Sequence, residues 1–403
     1  MTTLTTIETQ FIALTKSAVT GKEYLPEGVD YAALFTLANQ QKLLPLLFEK
    51  LRLSPAAGEN ETLFAAAKQQ VIAQVLKQTM RSVEFAALYQ KLRTAGLHPI
   101  VVKGQLCNRL YPTPDHRISA DDDLLITDAE LSACHRVMLE NGLDTDCTEE
   151  SLPTEDEISY IKKGSALYIE LHRRLFDSSE DTYDDLNSFF ADVHARTAEV
   201  NGFLAMPPHE HLLYPILHAY KHFVSCGIGL RQFCDIGLWA REYHDEIDWA
   251  RLHNQCASVH AAVFAATAFE IARLWLGIDF ELPELWKTTA PAEPLLHDTL
   301  CGGVYGSNDY TRLHSSTVTL NAVKSSRAGK KSSVLFSLFP NRRYMERQYP
   351  YVKKEPLLLP VAWGQRIAHY LCEKRHSDSN SISGSLQLAR ERIELMKLYG
   401  IMG

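Results

Sequence analysis

The chain has no apolar run approaching the roughly twenty residues a membrane-crossing helix needs. Its first residues, Met1-Thr2-Thr3-Leu4-Thr5-Thr6, lack the basic stretch and apolar core of a secretory leader. A cytoplasmic protein without membrane contact is the expectation. Its eight cysteines are scattered with no Cys-x-x-Cys pair, which argues against both a zinc ribbon and a disulfide framework. No period of solenoid length recurs. Charge of one sign is scarce overall, at −8 for 403 residues, but it is unevenly spread. Residues 301–403 hold sixteen Lys and Arg against seven Asp and Glu, a block of +9, so residues 1–300 carry −17. The basic stretch, with Lys324, Arg327, Lys330, Lys331, Arg342, Arg343, Lys353 and Lys354, reads first as a solvated face balancing the acidic remainder. Contact with RNA, an anionic acceptor or a nucleotide is its functional alternative.

At 403 residues, 46% of them hydrophobic, the chain can bury more than one core. Residues 1–95 read as helical, with apolar residues at three- and four-residue spacing from Tyr31 to Leu51 and from Leu63 to Leu92. Strands enter near Ile100, and residues 96–206 alternate between strand and helix, as at Ala129 to Asn141, Ile158 to Ile161 and Ala166 to His172. Beyond Pro207-Pro208 helices return, at Glu210 to Phe223, Arg231 to Tyr243 and Ala257 to Leu276. The expected organisation is therefore an α+β core over 96–206, helical regions over 1–95 and 207–300, and a basic C-terminal helical region over 301–403.

The chemistry concentrates between two apolar segments, Ile100 to Val102 and Leu124 to Ile126. Between them lie Lys103-Gly104, Tyr111-Pro112, Arg117 and the triplet Asp121-Asp122-Asp123. Alternate residues on a strand leave the same face with Cα atoms about 6.5–7 Å apart, so Asp121 and Asp123 can aim at one point, where they repel unless a cation intervenes. Magnesium is the natural guest, because it takes oxygen ligands and fills its remaining positions with water and substrate phosphates. In Ala166 to His172, alternation turns Leu167, Ile169 and Leu171 to one face and Tyr168, Glu170 and His172 to the other, making Glu170 a third acid. Gly104 permits a close approach of backbone to phosphate, and the helix starting there offers N–H donors. Lys103 and Arg117 can neutralise a triphosphate, Arg117 in bidentate fashion.

This pattern resembles the nucleotidyltransferase superfamily that shares a fold with DNA polymerase β, and within it a bacterial family of uncharacterised nucleotidyltransferases. The matching features are the turn at Lys103-Gly104, the acidic pair Asp121 and Asp123, the later Glu170 in Glu-Leu-His, Tyr111-Pro112, Arg117, Leu230-Arg231 and Cys234-Asp235-Ile236. Phe339-Pro340, Tyr349-Pro350 and Leu359-Pro360 with Arg366 extend the likeness toward the C-terminus. The resemblance implies a polymerase β-like core, a mixed sheet with helices, flanked by helical regions. It implies transfer of a nucleoside monophosphate from a triphosphate, with ATP the expected donor, to an unidentified small-molecule, protein or RNA acceptor, with pyrophosphate released. One or two Mg²⁺ ions would sit on Asp121, Asp123 and Glu170, the nucleotide on Lys103, Gly104 and Arg117, and the acceptor near His172, His218, His222, Arg231 and Asp235. Two departures stand out. Lys103-Gly104-Gln105 replaces the usual Gly-Ser, and Asp122 stands between the paired acids where an apolar residue is common, which places that part of the strand near an edge or its end.

Two other readings compete. His218 and His222, four apart on one helix face, can share a metal, as in a helical metal phosphohydrolase, although no His-Glu-x-x-His stands in the chain. The fold can also persist as a non-catalytic binding module. Imidazole binds transition metals well and magnesium poorly, and the carboxylate reading expects no tightly held transition metal. Replacing His218 and His222 together by Gln should therefore leave the metal content of the purified protein unchanged. Elemental analysis showing stoichiometric zinc, manganese or iron that disappears in this variant would favour the hydrolase.

Overall fold

Apolar residues of high β-propensity at Ile100 to Val102 and around Leu124 form the two central strands of a seven-stranded mixed sheet. The computed structural model describes residues 3–177, 184–304, 349–373 and 382–402, with a few isolated positions between 305 and 348. Most of the basic run from Lys324 to Arg343, and the pair Phe339-Pro340, lie outside the described residues. The strands are β1 (Ile100–Val102), β2 (Asp122–Leu125), β3 (Leu143–Asp144), β4 (Glu157–Lys162), β5 (Tyr168–His172), β6 (Ala198–Val200) and β7 (Phe203–Ala205), in spatial order β3-β4-β5-β2-β1-β7-β6. Two pairings are parallel, β2 with β5 and β1 with β7, and the others are antiparallel. β1 and β2 are buried at every position, as expected of strands covered on both faces. The expected position of Asp122 is half right: it opens β2, but that strand lies in the middle of the sheet rather than at its edge.

The helices follow the expected pattern with two breaks. The Tyr31-to-Leu51 stretch divides into Tyr31–Gln40 and Leu44–Leu51, because Lys42 takes a left-handed φ of 58° and Pro45 opens the second helix. The stretch expected over Ala257 to Leu276 is interrupted at His260, φ 60°, giving Trp249–Ser258 and Ala262–Glu270, followed by a π-turn at Ile271–Trp275. The last described helix, Ile382–Leu398, falls in the expected C-terminal helical region. Helices from both ends join the same buried apolar cluster as the sheet, which runs from Phe11 to Ile401.

Two features place the helix Leu230–Glu242, which carries Arg231 and Asp235, against the rest. Gln41, fully buried, accepts from the Leu230 N–H at 2.8 Å and donates to the carbonyls of Thr299 and Leu300 at 3.1 and 3.3 Å. It satisfies one of the orphan donors of the helix start while tying three segments together. On the opposite side Gly237 lets the helix approach the π-turn, since an added Cβ would meet Ala272 Cβ at 2.6 Å and Ile278 Cδ1 at 3.0 Å. Ala272 Cβ cannot swing aside. Gly237→Ala should thus lower stability by about 1–3 kcal/mol, read as a lower denaturation midpoint with an unchanged denaturant slope.

Candidate active site

The sheet register brings the acids together. Asp123 on β2 lies beside Glu170 on the parallel β5, and Val102 on β1 lies beside Asp123 from the other side. Asp123, Glu170 and His172 present ligand atoms that all fall within 4.8 Å of one another. Asp121, one residue before the strand, reaches the same place through a shared cation: Lys103 Nζ stands 3.1 Å from Asp123 Oδ2 and 3.8 Å from Asp121 Oδ2. The ammonium also lies 3.3 Å from His218 Nε2 and 5.9 Å from the centre of the Tyr214 ring. Lys103 pays for this position with a backbone of φ 47°, ψ −123°, sparsely populated for a residue with a side chain. Gly104 follows at φ +29°, which glycine tolerates best.

Charge here is answered by charge. Burial works against an ionised Asp123, but Lys103 and then His172, whose Nε2 lies 3.1 Å from Asp123 Oδ1, hold its carboxyl well below the ordinary range. For His172 burial opposes protonation, and the carboxylates of Asp123, Glu170 and Glu157 outweigh it, raising the imidazole to about 10. Burial pushes the Glu170 carboxyl up against the opposing hydrogen bond from His172, and the negative charges of Asp123 and Asp121 add to the rise. Carboxylates brought this close, one of them held high by burial and then by its neighbours' charge, are a donor set that a hard divalent cation can use.

Asp122 faces the other way and finds Arg81 of the long helix Glu61–Thr94, Nε to Oδ2 at 2.6 Å, with Gln105 Nε2 at 2.9 Å from Oδ1. Arg81 also donates to the carbonyls of Ser119 and Tyr168. This residue escaped the sequence reading, yet a signal was present: Gln78, Arg81, Phe85, Leu88 and Leu92 form the buried stripe of that helix, at three- and four-residue spacing.

Arg117 departs from expectation. Its fork meets Asp235 instead of open space, Nε to Oδ1 at 2.8 Å and Nη2 to Oδ2 at 2.6 Å, and its third arm donates to Asn108 Oδ1 at 3.0 Å. Tyr111 donates to the same Asp235 carboxylate at 2.8 Å. The helix opened by Gly104 is only five residues long, and the Gly104 carbonyl accepts from Arg117. Arg231 donates to the Ile118 carbonyl, and its Nε is buried without a hydrogen-bond partner. Together Lys103, Ser119, Asp121, His218, Arg231 and Gln232, with Arg117 and Asp235 behind, line a narrow cleft. Of the three acids only Asp121 is in this lining; Asp123, Glu170, His172 and His222 are not.

The two histidines of the competing reading do touch, His218 Nε2 to His222 Nε2 at 3.2 Å. Burial, then the positive charge of Lys103, holds His218 well below its ordinary value, and burial lowers His222 to about 3. Among the described residues, neither belongs to a cluster of three metal-binding side chains.

A mixed sheet with an acidic pair and a third acid on the neighbouring parallel strand, closed by helices, defines an α+β protein with a cluster of acidic side chains beside a narrow cleft. The chain belongs to the uncharacterised nucleotidyltransferase family, whose family model matches residues 27–277. No curated protein and no solved structure matches it. Membership supports nucleotidyl transfer as the general class of reaction, and the described residues include no helix long and apolar enough to cross a membrane.

The Arg117–Asp235 pair generates a stability prediction. Burial disfavours the Asp235 carboxylate, but Arg117 outweighs it and holds the carboxyl below its ordinary range. A depressed folded-state value contributes stability above the unfolded value of about 3.9, and this is lost as pH falls through the folded value. Asp235→Asn strands a buried guanidinium and should cost about 3–5 kcal/mol at neutral pH. In urea titrations the gap from the parent should narrow below about pH 4; a gap independent of pH would contradict the assignment.

Proposed function

We propose that this chain transfers a nucleoside monophosphate from a nucleoside triphosphate, ATP being the expected donor, to a hydroxyl acceptor, with release of pyrophosphate. The observation that carries the reading is the register pairing of Asp123 with Glu170, together with the sharing of the Lys103 ammonium by Asp123 and Asp121. Magnesium fits this donor set: Asp121 and Asp123 would hold it, and Glu170 would join them. When bound, the ion neutralises phosphate oxygens and orients them for in-line displacement. The acceptor oxygen forms a bond to the α-phosphorus as the bond to the pyrophosphate oxygen breaks, and the hydroxyl proton passes to a base, the role of Glu170 if it is not taken up by the metal.

Lys103, already beside Asp121 and Asp123, would turn its charge to the phosphates once a divalent ion takes over the carboxylates. Arg117 contributes through position rather than direct grip, fixing Asp235 and the Gly104 turn at the back of the pocket. Arg231, His218, His222 and Asp235 come from the helices beyond residue 207, so the acceptor would enter between these helices and the 96–206 core. His172 would act from behind, holding Asp123 in place.

Asp121→Asn with Asp123→Asn keeps the shapes and removes the charges. Calorimetry should show magnesium-dependent ATP binding in the parent and none in the double variant, with circular dichroism unchanged. Equal magnesium–ATP affinity in a folded double variant would overturn the proposal.

A further inference from the structure

Away from the pocket, the first helix, Thr6–Thr20, meets the helix Ala292–Gly302 through a cluster that the transfer reaction does not use. Glu8 Oε1 lies 3.0 Å from His297 Nδ1, and Cys301 Sγ lies 3.8 Å from Glu8 Oε1 and 3.9 Å from His297 Nδ1. His297 and Cys301 are four apart on one helix, so both side chains leave the same face. The Glu8 carboxylate is buried and held from behind: the N–H and hydroxyl of Thr5 donate to Oε2 at 2.7 and 2.9 Å. The imidazole faces both carboxylate oxygens, with Oε2 3.2 Å from His297 Nδ1, and the thiol faces Oε1. His297 is partly exposed and Cys301 exposed.

We infer that Glu8, His297 and Cys301 form a binding site for a zinc-class transition-metal ion that clips the N-terminal helix to the helix Ala292–Gly302. An ion of this class holds N, O and S ligands about 2.0–2.3 Å away, which spaces neighbouring ligand atoms roughly 3.3–3.6 Å apart. The observed triangle needs only a small adjustment of its three edges to reach that geometry. The donor set selects against magnesium, which takes oxygen ligands, and toward ions that accept imidazole and thiolate. On binding, the thiol of Cys301 gives its proton to solvent as the metal–sulfur bond forms. With three protein ligands and an exposed thiol, the fourth position lies open to water. All three residues fall outside the stretch matched by the family model, residues 27–277, so the site belongs to this chain's flanking segments and not to the family core.

The experiment titrates Co²⁺ alone into the reduced, metal-stripped full-length protein and reads visible and near-ultraviolet absorption. The expected result is one equivalent bound with a thiolate-to-cobalt charge-transfer band. Cys301→Ser, at an exposed position, should remove that band, and His297→Gln should weaken cobalt binding by about tenfold or more. Asp123→Asn, and His218→Gln with His222→Gln, should keep the band, which separates this site from the pocket and from the histidine pair. Zinc should raise the melting temperature of the parent and leave that of Cys301→Ser unchanged. A parent without a thiolate band, or a band that survives Cys301→Ser, would overturn the inference.

Discussion

A carboxylate taken out of water has to be matched by a positive group at close range, and the start of β2 imposes this demand twice in succession. Asp122 and Asp123 are each about 1% exposed and point to opposite faces of one strand, so each face must supply its own cation. The helix-facing side supplies Arg81. The pocket-facing side supplies Lys103 and His172. Most of the local architecture follows from this requirement: the long helix must pass with Arg81 in register, β1 must end in a turn that sends Lys103 back over the sheet, and β5 must lie parallel to β2 so that Glu170 and His172 flank Asp123.

The same demand shapes the helical side. Asp235 is buried on the helix Leu230–Glu242 and finds Arg117 from the loop before β2. A buried pair of this kind seldom adds net stability compared with apolar packing, yet losing one partner is costly. Its effect is to fix where the helix stands relative to the loop, and Gln41 and Gly237 fix the same helix at its start and along its side. The pocket is thus bounded by elements whose relative positions are set by ionic and hydrogen-bonded contacts as well as by apolar packing.

Much of this was legible beforehand. The alternation in β5 named the face of Glu170 correctly, because Leu167, Ile169 and Leu171 leave only one way to turn the strand. The central strands declared themselves through uninterrupted apolar residues. The β6–β7 hairpin was not read, although Asn201-Gly202 between Val200 and Phe203 is a strong two-residue turn signal; strands of three residues carry too little periodicity to draw attention. The breaks at Lys42 and His260 were hidden for a different reason. Each falls on a single non-glycine residue in a left-handed conformation, which tertiary packing imposes and local preference does not announce. Long-range ionic partners were the least visible: nothing near Arg117 in the chain points to a carboxylate on a distant helix.

The order in which these partners leave the ribosome differs sharply between the two faces of the site. Arg81 precedes Asp122 by 41 residues, so the acid enters a chain that already holds its counterion. Arg117 must wait 118 residues for Asp235, which at about 5–20 residues per second amounts to roughly 6–24 s of synthesis. Through that interval Arg117 and Tyr111 are without the carboxylate they both donate to, while Lys103 and its partners Asp121 and Asp123 are made within 20 residues of one another. The Arg117–Asp235 pair therefore closes only after every strand of the described sheet has been made.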